Sequence, residues 1–132
     1  MESIEVGILG ATGMVGQHFI RFLEGHPWFK LTWLGASDRS AGKAYKDATV
    51  WRLEGDMPPS VADLVVSESK TGSAPRLVFS AMDASVATEI EREFCVQPDE
   101  PRRPYRCWRH PNVEPIGQTG ICILERKAEC HR

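Results

Sequence analysis

Three glycines in the stretch "GILGATGMVGQ", Gly10, Gly13 and Gly16, recur every third residue near the start of the chain, with Gly7 three positions before them. Such glycines do chemistry through what they lack. Gly10 permits a tight turn straight out of a strand, Gly13 lets the backbone approach a pyrophosphate where a Cβ would clash, and Gly16 lets a helix pack closely on a sheet. A helix starting there presents unpaired N–H groups and the positive end of its dipole to the phosphates, and the Thr12 hydroxyl adds a donor. The chemistry implied is anion binding by backbone. A ligand-free turn between strand and helix is the alternative.

A second group bears on which nucleotide would bind. An NAD site usually places Asp or Glu about 20 residues on, at the end of the second strand, to hold the ribose 2′-OH. Ser37, small and neutral, lies 21 residues after Gly16, and Arg39 and Ser40 follow it. A guanidinium with neighbouring hydroxyls suits a dianionic 2′-phosphate, which a carboxylate would repel. The residues favour NADP. Asp38 is the competing feature, because pointing inward it would favour NAD, and a solvated loop charge is the plain alternative for Arg39.

Residues for covalent or metal chemistry are harder to place. The four cysteines, Cys95, Cys107, Cys122 and Cys130, all lie beyond residue 94. Cys107 and His110 have the spacing of one zinc-ligand pair, but adjacent Cys130 and His131 make a poor second pair, so no metal site is assigned. His18 and His26, on or beside the first helix, are expected to be solvated.

The elements that must position these residues follow from periodicity. Residues 4–10, "IEVGILG", are short, aliphatic and stopped by glycine, as a buried parallel strand is. From Gly13, Val15, Phe19 and Leu23 recur every four residues, with Ile20 and Phe22 widening the stripe and Gln17, His18, Arg21 and Glu24 off it. Gly25 and Pro27 end that helix. Residues 30–37 read as a second strand, 45–60 carry no clear period, 61–69 have strand-like content, and 76–81 read as another core strand. Asp83 is a candidate N-cap for a helix with Val86, Ile90 and Phe94 on one face. This alternating order predicts an α/β fold, a Rossmann-like doubly wound parallel sheet.

Composition bounds the whole and divides it. With 132 residues, 42% hydrophobic and a net charge of −2, the chain is expected to be one globular domain without a nucleic-acid or anionic-membrane partner. No apolar run approaches the length of a membrane span, and "MESIEV" lacks the basic start of a signal peptide, so a cytoplasmic location is expected. Residues 1–94 hold no cysteine and four of the nine prolines, whereas 95–132 hold every cysteine and five prolines. In that second part only 120–126 reads as a strand. The sheet is therefore expected to be truncated, with an irregular C-terminal tail and an apolar strand edge left open to aggregation.

"VGILGATGMVGQHFIRFLEGHPWF", "LGASDRSAGKAY" and "LVFSAMDASVATEIEREF" closely resemble aspartate-semialdehyde dehydrogenase in its archaeal and fungal branch. The similarity covers residues 5–94. It implies an enzyme of amino-acid biosynthesis, in the aspartate pathway to lysine, threonine and methionine, that reductively dephosphorylates aspartyl phosphate to aspartate semialdehyde with NADPH, as a homo-oligomer. Carried onto this sequence, the resemblance places the phosphate loop at Gly10, Thr12, Gly13, Met14 and Val15. It places the 2′-phosphate contacts at Ser37, Arg39 and Ser40, and the nicotinamide-side contact at Ser80 and Ala81.

The resemblance also implies a nucleophilic cysteine in an Asn-Cys-Ser/Thr context, an acid/base histidine and a substrate-binding arginine. No cysteine here is preceded by Asn or followed by Ser or Thr, so no catalytic residue is assigned. Another strand is implied soon after Phe94, where the chain reads "CVQPDEPRRPY". Residues 1–94 are thus expected to form an incomplete NADP-binding domain, and 95–132 a non-homologous tail, out of frame or a purposeful extension. An N-acetyl-glutamyl-phosphate reductase-like fragment and a non-catalytic NADP-binding regulator are the other readings.

Overall fold

The computed structural model describes residues 3–70, 74–82, 105–108 and 122–126. Its elements run β1 (Ile4–Leu9), α1 (Met14–Leu23), β2 (Phe29–Ala36), α2 (Tyr45–Ala48), α3 (Pro59–Ala62), β3 (Ser67–Glu68), β4 (Leu77–Ser80), β5 (Tyr105–Trp108) and β6 (Cys122–Arg126). The strands form one sheet in the order β3-β2-β1-β4-β6-β5. The first four are parallel, and β6 and β5 add antiparallel. With β1 flanked by β2 and β4, the crevice above its carboxyl end lies where an open α/β sheet reverses its winding. The α/β expectation holds.

β1 is hydrophobic on both faces, as a strand inside a parallel sheet must be. Val6 and Ile8 join Ile20, Leu23, Leu34 and Ala36 in the core beneath α1. Gly7 and Leu9 face the other way, where Trp33 lies so close over Gly7 and Gly35 that neither could carry a methyl group without moving the indole. In β2, Phe29 and Leu31 belong to the α1-side core, as do Leu34 and Ala36. That change of parity has a local cause. The register slips between Val6 and Gly7, whose partners are Leu31 and Trp33, leaving Thr32 as an extra residue that turns the strand over.

α1 seats its inner face with Gly16, Gln17, Ile20 and Leu23 buried. This corrects the stripe expected from sequence. Phe22 is 77% exposed, while Gln17, expected off the stripe, is wholly buried. Phe19 reaches the sheet by stacking on Phe79, with centroids 5.3 Å apart, and Phe29 meets the same ring edge-on at 6.1 Å. Such pairs contribute about 0.5–1.5 kcal/mol each beyond their buried area. His26 is half-buried rather than solvated: its Nδ1 accepts the N–H groups of Trp28 and Phe29, fixing the entry into β2. His18 is exposed.

Residues 61–69 do not form the expected strand. Pro58 and Pro59 start the one-turn helix α3, with Pro59 supplying a pre-set φ in its first turn. Val65 then makes an isolated bridge to Ala44, and only Ser67–Glu68 pair with β2. The apolar residues there pack individually instead of alternating. The edge of β4 is not open, because β6 pairs with it from Leu77↔Glu125 to Ser80↔Cys122, inside the one stretch of the tail that reads as a strand. β5 carries no local signal and pairs with β6 alone. The helix expected from Asp83, with Val86, Ile90 and Phe94, lies outside the described residues, as do Cys95, His110, Cys130 and His131. Among the described residues no helix is long and apolar enough to cross a membrane.

Candidate functional site

The carboxyl ends of β1, β2 and β4 lie side by side, with Leu9 paired to Gly35 on one flank and to Ser80 on the other. The turn leaving β1 is tied to both neighbours. The N–H groups of Gly10 and Ala11 donate to the Gly35 carbonyl at 2.9 and 3.2 Å, and the Ala81 N–H donates to the Leu9 carbonyl at 2.8 Å. Gly10 adopts φ +73, a left-handed conformation natural to glycine, and a Cβ there would meet the Ala81 carbonyl. Gly10 and the Ser80–Ala81 strand end are thus fitted to one another.

The other two glycines differ in kind. A Cβ on Gly16 would collide with the backbone of Gly10 and Ala11. Gly16 therefore joins helix to turn more than helix to sheet. A Cβ on Gly13 would meet only the Gly10 carbonyl oxygen at 3.6 Å, an ordinary contact, and its φ of −79 suits any residue. Nothing in the described structure requires glycine at 13. The space beside it is open, and a side chain at 13 would enter it.

Donors converge on that space. Gly13 is the N-cap of α1 and provides no side-chain cap. The Gln17 N–H donates to the Gly13 carbonyl and the Gly13 N–H to the Gly10 carbonyl. The N–H groups of Thr12, Met14, Val15 and Gly16 have no acceptor among the described residues. Together with the helix dipole they form an anion-binding end. Gly13 and Met14 are exposed and Thr12 and Val15 half-buried, so the site opens to solvent.

Three side chains hold this turn from behind. The Tyr45 hydroxyl donates to the Ala11 carbonyl at 2.6 Å, and the Thr49 hydroxyl donates to the Thr12 carbonyl at 3.0 Å. Gln17 Nε2 donates to the Val50 carbonyl at 3.0 Å and reaches the Thr12 carbonyl at 3.5 Å, while its Oε1 accepts the Arg52 N–H at 2.9 Å. Tyr45 is wholly buried, and burial pushes its hydroxyl pKa well above the ordinary value. Sequence reasoning missed all three. No local periodicity marks Tyr45 and Thr49, because Tyr45 opens α2 and Thr49 is its extended C-cap, and only the fold brings both hydroxyls to the loop.

The loop after β2 presents the second group. The N–H groups of Ser40 and Ala41 both donate to the Ser37 carbonyl, making a tight turn. It leaves Ser37, Asp38 and Arg39 exposed and buries Ser40. Neither Asp38 nor Arg39 has an ion-pair partner among the described residues. Ser80 is buried at the end of β4, and Cys122, at the start of β6, is its register partner. All ten residues singled out in the sequence, from Gly10 to Ala81, therefore lie at one end of the parallel strands, Ser80 as the last residue of β4 and the others in or directly after the turns.

Known proteins are similar to this chain in sequence and fold. The family model described as semialdehyde dehydrogenase, NAD binding domain, matches residues 5–98. Aspartate-semialdehyde dehydrogenase of Methanothermobacter thermautotrophicus is 48% identical over 93 residues, covering 69% of this chain and 27% of the relative. That of Saccharomyces cerevisiae is 51% identical over 90 residues, covering 67% and 25%. The crystal structure of aspartate semialdehyde dehydrogenase with NADP from Candida albicans superposes with a TM-score of 0.66 at 48% identity, over 70% of this chain and 27% of that one. The chain thus spans about a quarter of the length of these relatives. It belongs to the semialdehyde dehydrogenase family and carries that family's NAD-binding domain.

Proposed function

We propose that this chain binds NADP(H), with the pyrophosphate on the N–H groups of Thr12 and Met14–Gly16 above Gly13, and the adenosine 2′-phosphate at the loop of Ser37, Arg39 and Ser40. The observation that carries the reading is the contrast between Gly13 and Gly16. Glycine at 16 answers an internal clash, while glycine at 13 answers none among the described residues and leaves open space beside N–H groups with no acceptor among them. An external anion gives that glycine a purpose. Exposed Arg39 lacks a charged partner among the described residues and is available to a phosphate dianion.

In the whole enzyme this module would serve the reductive dephosphorylation of aspartyl phosphate to aspartate semialdehyde. When bound, the cofactor would supply the hydride, with Ser80 and Ala81 as its nicotinamide-side contacts. The 132 residues contain no Asn-Cys-Ser/Thr context for the acyl-enzyme step. The chain alone is therefore proposed to bind cofactor without turnover.

Fluorescence titration with NADPH and NADH tests the reading. Saturable NADPH binding that disappears in Gly13→Val, with the circular dichroism of the fold retained, is the expected result. Unchanged NADPH affinity in that variant would return the glycines to a purely conformational role.

A further inference from the structure

We infer that Tyr45 and Thr49, which no sequence motif assigns to the site, are positioning residues that aim the phosphate loop at its ligand. The inference rests on the proposed seat of the pyrophosphate. A trans peptide holds its C=O and N–H on opposite sides of one plane, and no peptide bond among the described residues is cis. The Tyr45 hydroxyl draws the Ala11 carbonyl toward the core at 2.6 Å. The N–H of the same peptide belongs to Thr12 and must point the other way, where it has no acceptor among the described residues. Thr49 draws the next carbonyl, that of Thr12, inward at 3.0 Å. Both peptides thereby turn their carbonyl oxygens from the face where an anion would sit.

The loop needs such restraint. Among the described residues no backbone hydrogen bond holds the Ala11–Thr12 plane, and the Thr12–Gly13 plane has only the Gly13 N–H on the Gly10 carbonyl; a flipped plane would set a carbonyl lone pair against a phosphate oxygen. Tyr45 suits the task because its ring is locked in the core with Val61 and Val66. Its backbone N–H is also held, by the Leu64 carbonyl at 2.8 Å. The hydroxyl is presented by a rigid stem, and the residues from Tyr45 to Arg52 act as a buttress behind the loop.

Tyr45→Phe keeps the ring and deletes the donor, and Thr49→Val does the same for the second contact. Each full-length variant is titrated with NADPH, NADH and 2′-AMP, which carries the 2′-phosphate but no pyrophosphate. The expected result is a loss of roughly 3- to 15-fold for both dinucleotides, the scale of one hydrogen bond, with 2′-AMP affinity unchanged. Thr49→Val carries the test if Tyr45→Phe does not fold. Unchanged dinucleotide affinity, or an equal loss for 2′-AMP, would overturn the inference. If the unsubstituted chain binds 2′-AMP but no dinucleotide, the proposed pyrophosphate seat fails first and the inference with it.

Discussion

Gly16 is packed against the carbonyl oxygen of Gly10, and a methyl group on it would also meet the Ala11 Cα at 2.8 Å. Three residues earlier on the same turn, Gly13 faces open space. Gly16→Ala should therefore lower stability by about 1–2 kcal/mol, because the backbone clash outweighs the gain in helix propensity. Gly13→Ser should keep stability or raise it by up to about 1 kcal/mol, since serine is a good N-cap, yet it should abolish NADPH binding. Chemical denaturation and titration of both variants check the pair. Equal destabilisation would erase the distinction.

Gln17 joins α1 to the segment after α2 with both ends of its amide. Replacing it with Met keeps the bulk and strands the Arg52 N–H and the Val50 carbonyl. Both groups sit near solvent, so the cost should fall at the low end for an unmade hydrogen bond, about 1 kcal/mol. The sharper readout is local. Tryptic cleavage after Arg52 should accelerate well beyond what the change in global stability accounts for.

That same residue shows why part of the site was illegible in the sequence. β1, β2, β4 and the glycine turn announce themselves by aliphatic runs and spacing, and each lies within a residue or two of its expected place. Gln17 reads as surface because its type is polar, and only the distant carbonyl of Val50 and N–H of Arg52 make it a core residue. Phe22 errs in the opposite sense, apolar yet 77% exposed. Residues 61–69 have the composition of a strand without its alternation, and the two prolines before them favour a helical turn instead. β5 forms only because β6 is there to pair with it, a non-local cause that no window of sequence contains.

Tyr45 makes stability depend on pH at the alkaline end. Its unfolded value is 10.0, and burial raises the folded one well above that. The neutral hydroxyl is thus favoured in the fold, and its contribution is complete below pH 10. As pH rises past the unfolded value the unfolded chain loses a proton that the folded chain keeps, so stability falls by up to about 1.4 kcal/mol per unit. Tyr45→Phe should flatten that part of the curve. Urea denaturation from pH 8 to 11.5 on both proteins checks it, and parallel curves would disprove the assignment.

β6 lies between β4 and β5 and covers the edge that the parallel strands would otherwise expose. A proline at Leu124, the register partner of Val78, removes a ladder donor from the middle of that strand. The apolar edge at Leu77–Ser80 should then be uncovered and recruit other chains. Light scattering during refolding should rise steeply with protein concentration for Leu124→Pro and weakly for the parent. Identical scattering would mean that β6 does not protect the edge.

Arg39 tests the cofactor preference. If it pairs with the 2′-phosphate, Arg39→Ala removes a charge-assisted contact, and because the side chain is exposed the loss of NADP affinity should be on the order of 10-fold. NAD carries no phosphate there, so its affinity should hardly change and the preference should collapse. Added salt should weaken NADP binding to the parent more than to the variant, since one screened charge pair has gone. Asp38, equally exposed beside it, supplies the internal control. Asp38→Asn should raise NADP affinity modestly by removing a like charge. A loss of NAD affinity in that variant, with Arg39→Ala neutral for both cofactors, would show the carboxylate facing the ribose and reverse the preference.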